Sequence, residues 1–539
     1  MPFYLDKWST LAKKETDRFH LYAGIFLLLG LLVAYLSHLA YIPLNNQNDE
    51  ARRALVSLEM ILSDDYLTPT LNGEIYLNKP PLYNWIIIAY VKLFGDFSMF
   101  AFRLPVIIAT VLMGGTIHHF TRKFTSPQVA FFTAFAFMTN GRILIYDSFI
   151  GLIDTSFSLV VYLQFMWVYW LGEKKKYAWL FLLTYLLAAI GFLMKGMPAL
   201  VFQGFTLLTY FIWKKKFRLL FHPMHFAGVG LFLLITGSYY YAYFTRNDLA
   251  PMTLFSNLFT ESSKRTPAHF SWQRTILHFF SFPVELLYHY APWTLFVVAL
   301  FNKQAIRLLK GSDFMVYSFL VLVVNIFVYW LSPEVYARYL FMFIPLLYSL
   351  LFYAFFSLAE NHWSRKWVEG ITLFLSLALG IGFIVLPFLH VVKDNTDLWL
   401  RCFGLAIGFL ILAFVGWKAA PLRLYTLIAA VILFRLGFNW FILAPRAEKF
   451  VEVEKLSHQI VALTKGQPLY ILQDAQVGNF DGMSFHLAKA RGEILRFNKQ
   501  MEPGKFYIAD KHQLNNRTYT AYLSFSNYLS DSLYVVQFK

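Results

Sequence analysis

Charge is scarce in this chain. Of its 539 residues only 14% are Asp, Glu, Lys or Arg, where a soluble domain carries about 25%. Hydrophobic residues make up 58%, and the mean hydropathy is +0.51. Many windows of about 20 residues are almost uncharged, which is the length a helix needs to cross a bilayer. The chain reads as a polytopic membrane protein. Cysteine is scarcer still. The single Cys402 excludes a disulfide within the chain and a cysteine metal cluster. The sequence also has no Walker A phosphate loop, no H-E-x-x-H, no G-x-S-x-G and no CxxC pair. ATP-driven transport and zinc proteolysis by those motifs are thereby disfavoured.

The net charge of +16 comes from basic residues in short clusters between apolar runs. Membrane topology and anionic lipid account for such clusters better than nucleic acid does. The basic start (Lys7, Lys13, Lys14, Arg18) leads into a span-length apolar run without a small-residue cleavage site. No cleavable signal peptide is expected.

Thirteen spans are predicted, near 22–41, 98–120, 128–146, 151–171, 177–193, 197–213, 224–244, 283–301, 314–331, 336–358, 368–390, 398–416 and 421–442. Arg122-Lys123, the Lys174 and Lys214 triplets, Lys303/Arg307/Lys310, Arg365-Lys366 and Lys418/Arg423 then fall in alternate loops, together with the N-terminus. The positive-inside rule puts the N-terminus in the cytoplasm and the C-terminus outside. Residues 82–95 are apolar but too short for a crossing. The stretch 42–97 is therefore read as one outer loop carrying short interfacial helices. A second outer loop, 245–282, is read as a lid. From Pro445 the composition turns polar, with Gly-Gln-Pro, Asn-Asn and Pro-Gly turn signals. The chain thus divides into a membrane domain, 1–444, and a small outer α/β domain, 445–539. In the latter, strands are expected at Leu469–Leu472, Glu493–Arg496, Phe506–Ala509 and Leu533–Phe538, and helices at Val451–Leu463 and Met483–Arg491.

This topology gathers scattered polar residues on one face. Asp49 and Glu50 open a helical run, where carboxylates suit a helix start. Neighbouring side chains on a helix point in different directions, so they do not form a glycosidase-type dyad. One is read as the working carboxylate, the other as a cap or a partner of Arg52 or Arg53. Lys79 precedes Pro80-Pro81, which biases it to an extended backbone at the interface. There it can bind a lipid phosphate or snorkel toward headgroups. Asp154 begins a span, as catalyst or as cap. Lys195 is basic in a short outer turn, against the topology bias, which favours phosphate binding. Arg338 offers bidentate geometry in the turn Ser332–Tyr339. Glu261, Arg265 and His269 lie in the lid loop. Charged groups on one face favour an enzyme over a flippase for lipid-linked sugars, which would keep its charges at mid-membrane.

The ordered set Asp49-Glu50, Leu71-Asn72-Gly73, Tyr76, Lys79-Pro80-Pro81-Leu82, Trp85, Leu93-Phe94-Gly95 and Arg103-Leu104-Pro105 resembles a known superfamily. Asp154, Lys195-Gly196, Glu261/Arg265/His269, Pro292-Trp293 and Arg338-Tyr339 follow in the same order. It looks like the protein O-mannosyltransferase-like glycosyltransferases of GT-C fold that use lipid-phosphate sugars. Within them the likeness is strongest to the undecaprenyl-phosphate aminoarabinose transferases that modify lipid A. The resemblance covers residues 20–350.

It implies inverting transfer from a polyprenyl-phosphate sugar to lipid A or another envelope acceptor, at the outer face of a bacterial inner membrane. It implies Asp49 as catalytic acid and Asp154 as the second acid of the site, Lys79 and Lys195 near the donor phosphate and His269 as a loop histidine near the site. Arg338, Glu50, Arg52 and Tyr76 are read as further candidates for binding the donor phosphate or sugar. The alternative acceptor is a protein Ser or Thr. The sequence does not choose the sugar or the acceptor class. Family members keep a Glu before the Lys-Pro pair, thought to help hold a metal with the loop histidine. Here that position is Asn78, a poor ligand for transition metals. No cofactor is required, and of that ligand pair only His269 remains for a divalent metal.

Overall fold

The computed structural model describes residues 2–44, 49–249, 256, 260, 271–389, 397–464, 466–473, 475, 480–515, 517–526 and 532–539, with the side chains of 2–17, 449 and 450 left aside. Helices dominate. In chain order they are α1 (Pro2–Leu36), α2 (Asp49–Leu62), α3 (Leu82–Phe94), α4 (Met99–Phe124), α5 (Pro127–Met138), α6 (Asp154–Glu173), α7 (Tyr177–Lys195), α8 (Pro198–Trp213), α9 (Pro223–Asn247), α10 (Trp272–His289), α11 (Lys303–Lys310), α12 (Asp313–Trp330), α13 (Ile344–Phe356), α14 (Trp363–Val385), α15 (Leu398–Lys418) and α16 (Arg423–Phe438). All thirteen expected spans are helical over most of their length. Seven described helices are long and apolar enough to cross a membrane alone.

Three expected spans take a different form. In 128–146 the helix α5 stops at Met138 and a separate π turn, Ile143–Asp147, follows. Residues 283–301 do not cross straight: α10 and the 3-10 helix Trp293–Phe301 meet at 118° around Tyr290–Pro292. Proline at 292 cannot continue the hydrogen-bond ladder of α10, so the chain turns there. The span expected at 336–358 begins its α-helix only at Ile344, after a short 3-10 turn, Ala337–Leu340, that carries Arg338.

The stretch 42–97 carries short helices, α2 and α3. α3 has 13 residues, about 20 Å at 1.5 Å per residue, short of a bilayer's hydrocarbon core of about 30 Å. Between α2 and α3 lies a small hairpin, β1 (Thr70–Leu71) and β2 (Glu74–Ile75). Its two-residue turn is Asn72-Gly73, both with positive φ (51° and 78°). Asn-Gly suits such a turn because glycine tolerates the left-handed region and asparagine enters it at low cost.

The main core runs through α1, α4 to α8, α12 and α13, with Phe102, Phe157, Tyr162, Phe165, Trp293 and Phe352 fully buried. The composition change near 445 falls inside a nearly continuous helical run. A π turn (Asn439–Leu443) joins α16 to α17 (Ala444–Thr464). Beyond it lies a five-stranded sheet of order β4-β3-β5-β7-β6. Its strands are β3 (Leu469–Leu472), β4 (Arg496–Asn498), β5 (Phe506–Asp510), β6 (Tyr519–Ser526) and β7 (Ser532–Phe538); β3, β4 and β5 are parallel, and β5, β7 and β6 antiparallel. Helices α17 and α18 (Asp481–Arg491) cover one face, and α19 (Lys511–Leu514) lies against the other. The expected strand Glu493–Arg496 sits later, at Arg496–Asn498, because pairing with Tyr470–Leu472 sets its register. Edge strand β6 escaped the sequence reading, since most of its residues are exposed and it has no apolar run.

Helix α18 packs directly on α2. The ring of Phe485 meets that of Phe97 at 5.0 Å, edge to face. The C-terminal region therefore touches the same stretch, 42–97, that carries the acidic pair.

Candidate active site

Asp49 is the first residue of α2, and its side chain is 56% exposed. Its Oδ2 accepts from Arg338 Nη2 at 3.0 Å. The Nε of the same guanidinium lies 3.3 Å from Asp154 Oδ2. Asp154 opens α6, and its Oδ1 accepts from Lys195 Nζ at 2.5 Å. Lys195 closes α7, where Gly196 at φ 82° turns the chain toward Pro198 and α8. Lys79 is near enough for its charge to act on Asp154. Four separate chain segments thus converge on one chain of alternating charge: Asp49, Arg338, Asp154, Lys195, with Lys79 beside it. Three cations face two carboxylates. Aromatic rings wall the cations: Lys195 lies 4.1 Å from the centre of the Tyr339 ring, and Arg338 lies 4.2 Å from that of Tyr336. Such faces hold a cation while keeping water away.

Glu50 has a different place. It is 4% exposed and grips Arg103 with both oxygens, at 2.7 Å and 3.1 Å. Its Oε1 also accepts from the Gly151 amide at 2.6 Å. Arg103 in turn donates to the carbonyls of Leu39 and Ile42. The partner is therefore Arg103 rather than the neighbouring Arg52 or Arg53. One residue of helix rotates the side chain by about 100°, so Glu50 points inward where Asp49 points out. The pair ties α2 to α4 and to the turn before Asp154, and so fixes the spacing of the two acids.

Arg52 is turned to the C-terminal region, with Nε donating to Asp481 Oδ2 at 2.9 Å. Tyr76 is buried with Val56, Met60 and Ile88 under α2, its ring beneath the Arg53 guanidinium. It is not joined to the charged chain. Glu261, Arg265 and His269 lie outside the described residues, as does half of the lid loop. Asn78 is exposed. Among the described residues no group of three His, Cys, Asp or Glu side chains is arranged to hold a metal.

Sequence reasoning missed Glu59. It is fully buried and accepts from Thr70 Oγ1 at 2.7 Å, the Asn72 amide at 2.7 Å and the Gly73 amide at 3.1 Å. Burial pushes its carboxyl above the ordinary range, against the pull of these donors. It anchors the hairpin that precedes Lys79. The available signal was a lone acid in the apolar half of α2, Val56–Leu62, beside an Asn-Gly turn.

The chain matches the model of the dolichyl-phosphate-mannose-protein mannosyltransferase family over residues 78–241. It is 31% identical over 206 residues to the undecaprenyl phosphate-alpha-4-amino-4-deoxy-L-arabinose arabinosyl transferase of Edwardsiella ictaluri, covering 37% of this chain and 36% of that one. A second such transferase, from Pseudomonas fluorescens, is 31% identical over 199 residues, covering 36% of this chain and 32% of that one. The aligned stretch thus spans about a third of the length of these curated relatives. The fold likeness runs further. The crystal structure of ArnT from Cupriavidus metallidurans bound to undecaprenyl phosphate superposes with a TM-score of 0.68 at 18% identity, over 95% of this chain and 97% of that one. The chain has the fold of a multi-pass GT-C membrane protein, and its residues 78–241 match the mannosyltransferase family model.

Proposed function

We propose that this GT-C membrane protein is an inverting glycosyltransferase, moving a sugar from a polyprenyl-phosphate donor to lipid A or another envelope acceptor. The site would work at the outer face of a bacterial inner membrane, with the N-terminus cytoplasmic and the region 445–539 periplasmic. The observation that carries this reading is the charge chain joining Asp49, Arg338, Asp154 and Lys195 at 2.5 to 3.3 Å. The names of the relatives agree with it.

The chemistry follows from the charge balance. A donor phosphodiester brings one negative charge to three cations and two carboxylates. As the anomeric carbon–oxygen bond breaks, the departing phosphate gains charge. Arg338, Lys195 and Lys79 lie where they can absorb it, and pre-aimed cations in a site sheltered from water are worth most. Asp154 orients two of these cations. Asp49 is exposed and can reach an incoming group. For a hydroxyl acceptor it takes the proton as general base. For a lipid A phosphate the nucleophile is already anionic, and Asp49 orients it instead.

The test is mass spectrometry of outer-membrane lipid A and of glycoproteins from a deletion strain. The expected result is loss of an amino-sugar from lipid A with unchanged glycoproteins. Loss from glycoproteins alone would assign a protein acceptor. No change in either would refute transferase activity.

A further inference from the structure

We propose that the C-terminal region positions the acidic helix α2, with Asp481 acting on Asp49 through Arg52. The inference rests on the reading of Asp49 as the acting carboxylate.

Asp49 and Arg52 lie one turn apart on α2, the spacing at which opposite charges pair on a helix surface. Left alone, Arg52 would compete with Arg338 for Asp49. Instead its Nε is held by Asp481 Oδ2 at 2.9 Å, and the Asp481 side chain is only 13% exposed. The charge of Asp49 acts on both Arg52 and Asp481, so the three share one electrostatic neighbourhood. Asp481 is the first residue of α18, where the helix end favours a carboxylate. The bridge therefore leaves Asp49 to the Arg338 side of the site.

The grip is not a single contact. Lys489, two turns along α18, donates to the Phe97 carbonyl at 2.8 Å, with Asp96 at 3.6 Å. The Arg496 side chain lies against Gly73, within 2.8 Å of where a Cβ would sit. One small unit thus holds α2, the hairpin before Lys79 and the turn after α3 together. A misplacement of about 1 Å in a reacting group can cost roughly a hundredfold in rate. Positioning of this kind is a sufficient reason for a soluble region without catalytic groups of its own.

The experiment uses the full chain in lipid nanodiscs, with Asp481→Asn and Asp481→Glu beside wild type. Three readouts are taken: steady-state transfer from a polyprenyl-phosphate sugar, binding of undecaprenyl phosphate alone, and amide exchange across residues 49–60. Asp481→Asn is expected to lower kcat by about 10- to 100-fold, with donor KM and undecaprenyl phosphate binding unchanged and exchange in 49–60 faster. Asp481→Glu, which keeps the charge, restores most of kcat. Wild-type kcat and exchange in Asp481→Asn would overturn the proposal. So would a rise in KM matching the loss of turnover, since Asp481 would then touch substrate, or faster exchange spread over the whole chain. A wild type that neither binds undecaprenyl phosphate nor transfers sugar would refute the parent reading. The exchange arm would still report whether Asp481 holds α2.

Discussion

The guanidinium of Arg338 meets the carboxylate of Asp49 across 289 positions of sequence, Nη2 to Oδ2 at 3.0 Å. Its Nε stands 3.3 Å from Asp154. One planar cation thus bridges two acids from different helices, and its fork can serve a phosphate in the same way.

Arg338→Ala should cut transfer by about 10²- to 10³-fold, the usual loss when one charge-stabilising donor is removed from an active site. Arg338→Lys should recover little of it, because an ammonium is a point charge and lacks the planar fork. Steady-state kinetics of purified protein checks both. Wild-type turnover in Arg338→Lys would show that the bridge is not used.

Glu50 and Asp49 are neighbours with opposite expected phenotypes. Glu50→Ala leaves Arg103 buried and uncompensated, and breaking such a pair costs about 3–5 kcal/mol. The melting temperature in detergent should fall sharply. Asp49→Asn alters an exposed contact, and surface ion pairs contribute only about 0–1 kcal/mol. It should leave melting nearly unchanged while lowering transfer to a hydroxyl acceptor. If both variants melt alike, the assignment of roles within the pair is wrong.

Much of this arrangement was legible in the sequence. Alternating basic loops placed Asp49, Lys79, Asp154, Lys195 and Arg338 on one face, and the structure draws Asp49, Asp154, Lys195 and Arg338 into contact with Lys79 beside them. Apolar runs located the helices because bilayer thickness sets their length. What the sequence could not supply were partners fixed only by tertiary packing. Glu50 meets Arg103, 53 positions away; Arg52 meets Asp481, 429 away. Local rules favour partners three or four residues off, so both were sought too near. The bend at Tyr290–Pro292 was hidden for a related reason. Hydropathy sums over a window and does not register a change of direction. The grip of the C-terminal unit on α2 was hidden too, since nothing in a single sequence links α18 to a helix four hundred residues earlier.

Glu59 gives a pH dependence. Burial raises its carboxyl above the ordinary 4.5, with the Thr70, Asn72 and Gly73 donors pulling the other way. A raised acid binds more protons folded than unfolded, so stability falls as pH rises from about 4.5 to the raised value and is flat above it. Glu59→Gln should remove this group's share of the slope. It should also cost about 1–3 kcal/mol near neutral pH, because an amide can accept with only one oxygen and leaves a buried backbone donor unpaired. Melting of wild type and variant between pH 4 and pH 8 measures both effects. A wild-type-minus-variant difference that rises from pH 4.5 would contradict the assignment.

Gly73 separates backbone strain from crowding. Its φ is 78°, and a Cβ there would lie 2.8 Å from Arg496 Cγ. Gly73→Ala meets both obstacles, and a side chain forced into positive φ costs about 1 kcal/mol or more. Arg496→Ala removes the crowding but not the strain. The double variant should therefore recover part of the stability lost in Gly73→Ala, never all of it. Arg496→Ala alone should loosen the hairpin that precedes Lys79, seen as faster amide exchange at residues 70–75. Full recovery in the double variant would mean that positive φ carries no cost at this turn. No recovery would mean that the Arg496 side chain moves aside freely, and that the contact between β4 and the hairpin is not a constraint.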